Sequence, residues 1–173
     1  MEQVTVRIPA STSNLGPGFD CLGVALRLYN YVTVRRGPGA KPSPMMSAAA
    51  ATFFAASARR PFAFACSIRG DVPISRGLGS SVTVRLGVLH GLNELAQRPL
   101  SREEIFLLCA ELEGHPDNAA PAEFGGFNVA RGREQRLRFP VSTKLKFVLL
   151  IPHFEVRTAD ARRLLPRSLG HAA

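Results

Sequence analysis

The chain has 173 residues, 46% hydrophobic and 20% charged, which is enough apolar material for one cored domain or a domain and part of another. It has no apolar run long enough for a membrane-spanning helix, and MEQVTVRIPA enters strand-like alternation directly, so neither a membrane span nor a secretion signal is expected. The net charge of +9 raises nucleic acid as a partner, but Lys and Arg are scattered, Trp is absent and Tyr counts two, so a nucleic-acid partner is not expected; an anionic small molecule suits the same positive field.

Gln3 to Ile8 sets Val4, Val6 and Ile8 against polar neighbours, the alternation of a half-buried strand. Pro9 to Asp20, dense in Pro, Gly, Ser and Asn, reads as a loop, and Leu28 to Arg36 as a second strand. Gly37 to Pro44 breaks the pattern before Met45 to Ser57, whose Ala- and Phe-rich composition predicts a buried helix. Pro61 to Arg69 resumes strand character, and Gly70 to Leu78 is a loop. Val82, Leu86, Leu89, Leu92 and Leu95 then recur at helical spacing within Gly79 to Gln97.

Ser101 with Glu104 forms a capping box for a helix through Leu112. Gly125-Gly126 ends a short helical stretch, and Phe127 to Ala130 starts another strand. Phe147 to Ile151, continuously apolar, predicts a buried strand, and Thr158 caps a last short helix ending near Pro166. Strands and helices intersperse without strict alternation, so the expected class is α+β. Cys21, Cys66 and Cys109 form no CxxC pair and no metal-ligand spacing. Their odd count argues against a disulfide framework and places the chain in a reducing cytoplasm, with Cys66 and Cys109 as small core residues.

Three segments carry chemistry. In Pro73 to Ser81, between a strand and a long helix, Gly77 and Gly79 let the backbone approach an anion, and the free N–H groups of the helix start point at it. Ser80 and Ser81 add hydroxyls, yet no Lys follows the glycines, so this is no Walker loop; a plain glycine turn with a Ser cap fits equally well. Pro9 to Asp20 could hold a ligand with Asn14 and Asp20, or could be a structural Asx-turn. Glu111 to Asn118 packs three carboxylates, His115 and Asn118 at a helix end, suited to Mg2+ or a polar substrate, or else Asp117 simply caps the next helix.

Together, in this order, Pro-Ala-Ser-Thr-Ser-Asn-Leu-Gly-Pro-Gly-Phe-Asp (9 to 20), Gly-Leu-Gly-Ser-Ser (77 to 81) and His-Pro-Asp-Asn-Ala-Ala-Pro (115 to 121) before Gly125-Gly126 resemble the GHMP kinase superfamily, and within it the homoserine kinases. The resemblance implies that superfamily's N-terminal domain, a fold shared with ribosomal-protein modules, over residues 1–143, with 144–173 as the beginning of a C-terminal α/β domain. It implies ATP-dependent phosphorylation of the L-homoserine hydroxyl, a step of threonine biosynthesis. Arg76, Gly77, Leu78, Gly79, Ser80 and Ser81 would wrap the ATP phosphates, with Ser81 and Glu111 holding Mg2+. Asn14, Asp20, His115, Asn118, Thr158 and Arg162 would face homoserine, with Asn14 near the reacting hydroxyl and Arg162 on the carboxylate, which a guanidinium fork suits. Phosphoryl transfer rests on positioning and charge neutralisation, so neither Asp20 nor Asp117 is assigned as a base.

The sequence departs from that pattern in three places. Val82 and Thr83 replace small residues after Ser81, the Asn expected near Met45 for adenine is not evident, and family members continue beyond residue 173 into a further Gly-rich motif and substrate arginine. The expectation is a chain shorter than the complete enzyme, with weak or no kinase activity. A homodimer, another small-alcohol kinase of the superfamily, and a non-catalytic or nucleic-acid-binding module are the remaining alternatives.

Overall fold

The computed structural model describes residues 2–132, 135–154 and 163. One antiparallel sheet organises them, built on a long central strand. β1 (Gln3–Leu15) and β2 (Gly18–Arg36) form a hairpin, and the free side of β2 is shared by two partners. Its carboxyl half, from Asn30 to Arg36, pairs with β3 (Phe64–Gly70), and Leu22 to Val24 pair with β4 (Phe127–Arg131), which β5 (Gln135–Phe139) flanks. Among the described residues the sheet is joined by the helices α1 (Pro44–Ser57), α2 (Ser80–Leu95), α3 (Arg102–Glu113) and α4 (Ala119–Phe124). The α+β expectation holds.

α2 is the central pillar, packed on β1 and β2 and touching each of the other helices. Its Val82, Leu86, Leu89 and Leu92 are buried against Ile8, Val32, Val34 and Phe53, the residues on which the helical spacing converges. Gly87 and Gly91, one turn apart, bring its backbone against the sheet: a Cβ on either would stand 2.4 Å from Val32 or Val34. The capping box of α3 is complete, with Ser101 accepting from the Glu104 N–H and Glu104 accepting from the Ser101 N–H at 2.7 Å. Among the described residues, no helix is long and apolar enough to cross a membrane.

Four expectations need correction. Residues 9–20 are not a loop: Ser11, Thr12 and Ser13 pair with Ala25, Val24 and Gly23, and the turn is confined to Gly16-Pro17. The polar composition misleads because irregularities after Pro9 and Ser13 absorb what proline and glycine would disrupt in a regular ladder. α1 is not wholly buried; Ala49, Ala50 and Phe53 face the core and much of the rest meets solvent. Phe147 to Ile151 is neither a strand nor buried, with Leu150 93% exposed and only Leu149 packed on a core cluster, because no neighbouring strand among the described residues takes up its hydrogen bonds. Cys109 lies in the core as expected, whereas Cys66 is only half-buried; burial still pushes the Cys66 thiol up to about 11 and Cys109 well above its usual value. β5, polar at most positions and lacking a buried face, carried no legible strand signal.

Candidate active site

The site is assembled where the β1–β2 hairpin, the start of α2 and the α3–α4 link meet. Gly77 and Gly79 are both left-handed (φ 68° and 66°), and Gly79, not a serine, caps α2. No side chain caps that end and no acidic residue lies in the first turn of α2. A 16-residue helix therefore opens on N–H groups and a positive end that no side chain of its own first turn caps, which favours an anion there. Leu78 is buried with Ala10, Val24, Leu26 and Val72, so it anchors the loop from below while its carbonyl accepts from the Ser11 N–H at 3.3 Å. Thr83 is fully buried, donating to the Ser80 carbonyl at 2.7 Å and accepting from Asn30 Nδ2 at 2.8 Å. The bulkier residues after Ser81 thus fasten the first turn of α2 to β2.

The hairpin reaches the other two segments through its serines. Ser11 Oγ donates to Asn118 Oδ1 at 3.0 Å, and Asn118 Nδ2 donates to Ser13 Oγ at 2.7 Å. Asn14 and Asp20 flank the turn, both left-handed (φ 59° and 57°), and Asn14 Oδ1 accepts from the Asp20 N–H at 2.8 Å. That bond fixes the Asn14 amide at the exposed rim. His115 Nδ1 lies 2.6 Å from Asp117 Oδ1, which also accepts from the Asn118 N–H at 3.0 Å. Burial alone would raise the Asp117 carboxyl, but the bonds from His115 and Ser13 outweigh it and hold the group below its usual value. Asp117 is therefore held as a carboxylate, with one oxygen engaged by His115 and the Asn118 N–H.

At the α2 start, Ser81 Oγ donates to Glu113 Oε2 at 3.0 Å, and Arg85 Nη1 stands 2.5 Å from Glu113 Oε1. Glu111, the carboxylate singled out from the sequence, is exposed. Two residues apart on a helix means about 200° of rotation, so only one of the two glutamates can face the loop. The structure turns Glu113 to it. One carboxylate and one hydroxyl fit a small divalent ion that retains waters and shares phosphate oxygens. A larger protein cage is absent: among the described residues no three His, Cys, Asp or Glu side chains cluster to hold a metal.

Arg76 points elsewhere than expected for a phosphate ligand. Its guanidinium donates to the carbonyls of Pro152 and His153, both at 2.8 Å, and of Ile74 and Ser75, binding the loop to the 152–153 segment. Thr158 and Arg162 lie outside the described residues. Ser11 and Ser13 were missed by sequence reasoning, and Glu113, one of the three carboxylates of the 111–118 cluster, was passed over for Glu111. The two serines, spaced i, i+2, carried a strand signal that the surrounding proline and glycines obscured.

Comparison with known proteins shows what the chain as a whole is similar to. Residues 45–126 match the family model described as the GHMP kinases N terminal domain. The homoserine kinase of Crocosphaera subtropica is 38% identical over 99% of this chain and 62% of its own length, and that of Clostridium beijerinckii is 39% identical over 96% and 61%. The chain thus spans about three-fifths of the length of these curated relatives. The crystal structure of homoserine kinase from Cytophaga hutchinsonii superposes with a TM-score of 0.83 at 22% identity, covering 99% of this chain and 62% of that one, a likeness of fold. The glycine loop at the head of α2, the hairpin and the His115–Asn118 link stand in their expected order and in mutual contact, and residues 45–126 of this chain are similar to the N-terminal domain of the GHMP kinases.

Proposed function

We propose that the chain binds ATP at the Gly77–Ser81 loop and L-homoserine beside it, as part of a kinase that forms O-phospho-L-homoserine in threonine biosynthesis. The observation that carries this reading is the double attachment of Ser11, whose hydroxyl donates to Asn118 Oδ1 while its N–H donates to the Leu78 carbonyl, so one residue ties the candidate substrate side to the candidate phosphate loop. Backbone N–H groups from Gly79 onward and the Ser80 and Ser81 hydroxyls take the phosphates. Ser81 and Glu113, rather than Glu111, hold Mg2+, which supplies charge neutralisation on the phosphates when bound. Asn14 orients the reacting hydroxyl, and Asp20, His115 and Asn118 line the acceptor side. Thr158 and Arg162 join them on the sequence resemblance alone. No general base is needed, since positioning and charge account for most of the catalysis of phosphoryl transfer. We place the domain boundary near residue 143, after β5 ends at Phe139, and the working compartment in the cytoplasm.

Titration calorimetry with a non-hydrolysable ATP analogue and Mg2+, then with homoserine or mevalonate, tests the assignment. Nucleotide binding should weaken by about tenfold or more in Ser81→Ala, the loss expected for a hydrogen bond to a charged group. Homoserine should bind the nucleotide-loaded protein and mevalonate should not. No nucleotide affinity, or a preference for mevalonate, would reject the reading.

A further inference from the structure

Arg85 is one helical turn beyond Ser81, on the same face of α2, and reaches the same carboxylate. Glu113 is thereby held between a hydroxyl on Oε2 and a guanidinium on Oε1. The arrangement is enclosed, with side-chain exposures of 19% for Arg85 and 12% for Glu113. It is also imperfectly bonded. Glu113 Oε1 and Arg85 Nε are both buried without a hydrogen-bond partner, so the 2.5 Å approach is a charge contact off hydrogen-bond alignment, not a bidentate fork. A buried pair that leaves a donor and an acceptor unsatisfied gives up part of its stabilisation, which makes it exchangeable.

The charges decide what can exchange. Glu113 and Arg85 together are neutral, so a free divalent cation approaching Oε1 gains little attraction and meets the guanidinium's repulsion. A cation carried on nucleotide phosphates arrives as an anion overall. Arg85 and the uncapped end of α2 then both attract it, and the guanidinium can turn from Glu113 toward a phosphate oxygen.

Resting on the nucleotide reading above, we infer that Arg85 is a resident counter-ion of Glu113, closing this carboxylate to a free divalent cation and opening it to one delivered on a nucleotide. It acts as a positioning and specificity residue. An opposite charge at contact distance shifts a carboxylate's proton affinity by about one to three decades, and its hold on a metal ion responds to the same field.

Electron paramagnetic resonance of Mn2+, whose free-ion signal falls on binding, tests this on the whole chain without nucleotide. Wild type should bind Mn2+ weakly. Arg85→Gln and Arg85→Met should bind it about tenfold tighter or more, Arg85→Lys should remain weak, and adding Glu113→Gln to either neutral variant should abolish the gain. Addition of ADP should strengthen Mn2+ binding in wild type far more than in the neutral variants. Unchanged Mn2+ affinity in Arg85→Gln, or a gain that survives Glu113→Gln, overturns the inference. If both neutral variants fail to fold, wild type decides: Mn2+ binding equally tight with and without ADP overturns it. Calorimetry with metal-free ADP separates the failures, because absence of nucleotide affinity rejects the site itself, whereas nucleotide affinity without the Arg85 effect rejects only the counter-ion role.

Discussion

Gly79 and Gly77 share a left-handed backbone but not an environment, so the same substitution at each separates backbone strain from steric conflict. A Cβ on Gly77 meets nothing within 4 Å, whereas one on Gly79 stands 2.4 Å from Ser11 Oγ and 3.3 Å from the Ser11 carbonyl. Gly77→Ala should therefore cost only the left-handed penalty, about 1–2 kcal/mol. Gly79→Ala bears that penalty as well and must also move the fully buried Ser11 hydroxyl, which donates to Asn118 Oδ1 at 3.0 Å. Rotating it away leaves the Asn118 oxygen without that bond, a further loss of about 1–3 kcal/mol. Summed, Gly79→Ala should destabilise by about 2–5 kcal/mol. Urea denaturation followed by circular dichroism reads the difference as a lower midpoint at unchanged slope. Adding Ser11→Ala removes the obstructing oxygen, so the double variant should be less destabilised than the sum of the singles by about 1–3 kcal/mol. Equal losses at Gly77 and Gly79, or strict additivity with Ser11→Ala, would refute the steric reasoning.

Other expectations follow from the charges and the core. Glu123 is buried (side chain 2% exposed) beside His90 Nε2 at 2.7 Å and Arg102 Nε at 2.6 Å, and Arg102 also reaches its carbonyl. Burial raises the Glu123 carboxyl, but the bonds and charges of His90 and Arg102 outweigh it, holding the group below its usual 4.5. A lowered native value means the stabilisation is complete above about pH 4.5 and fades as pH falls through the native value. Wild type should accordingly lose more urea stability between pH 6 and pH 3 than Glu123→Gln, and parallel profiles would contradict this. Ser101→Ala should cost about 1 kcal/mol by removing the α3 cap, visible as a shifted urea midpoint; an unchanged midpoint would count against the capping box. Leu89→Ala, fully buried on α2, should cost about 2–5 kcal/mol in the same assay.

The contrast between α2 and the β1–β2 hairpin shows what could be read in advance. α2 was legible because one apolar stripe at helical spacing buries against one sheet, so local pattern and tertiary packing agree. The hairpin was not, since its polar residues look like loop and become strand only by pairing with Gly23, Val24 and Ala25, ten or more residues away. Glu111 and Glu113 were equivalent in composition, and the rotation of α3 against α2 distinguishes them. Phe147 to Ile151 erred in the other direction, since apolar residues become a buried strand only where a neighbour pairs with them, and none among the described residues does.

What the amino-acid order alone determined was the kind of protein: the Gly-Leu-Gly-Ser-Ser loop opening a periodic helix, and the three motifs in sequence. Those signals are local, written in backbone freedom and spacing. Only the tertiary structure decided the site's connections, tying Ser11 and Ser13 to Asn118, turning Arg76 to main-chain carbonyls and placing Arg85 and Ser81 on one carboxylate. Each of these spans residues distant in the chain or selects one side of a helix, and such choices follow from how the elements pack.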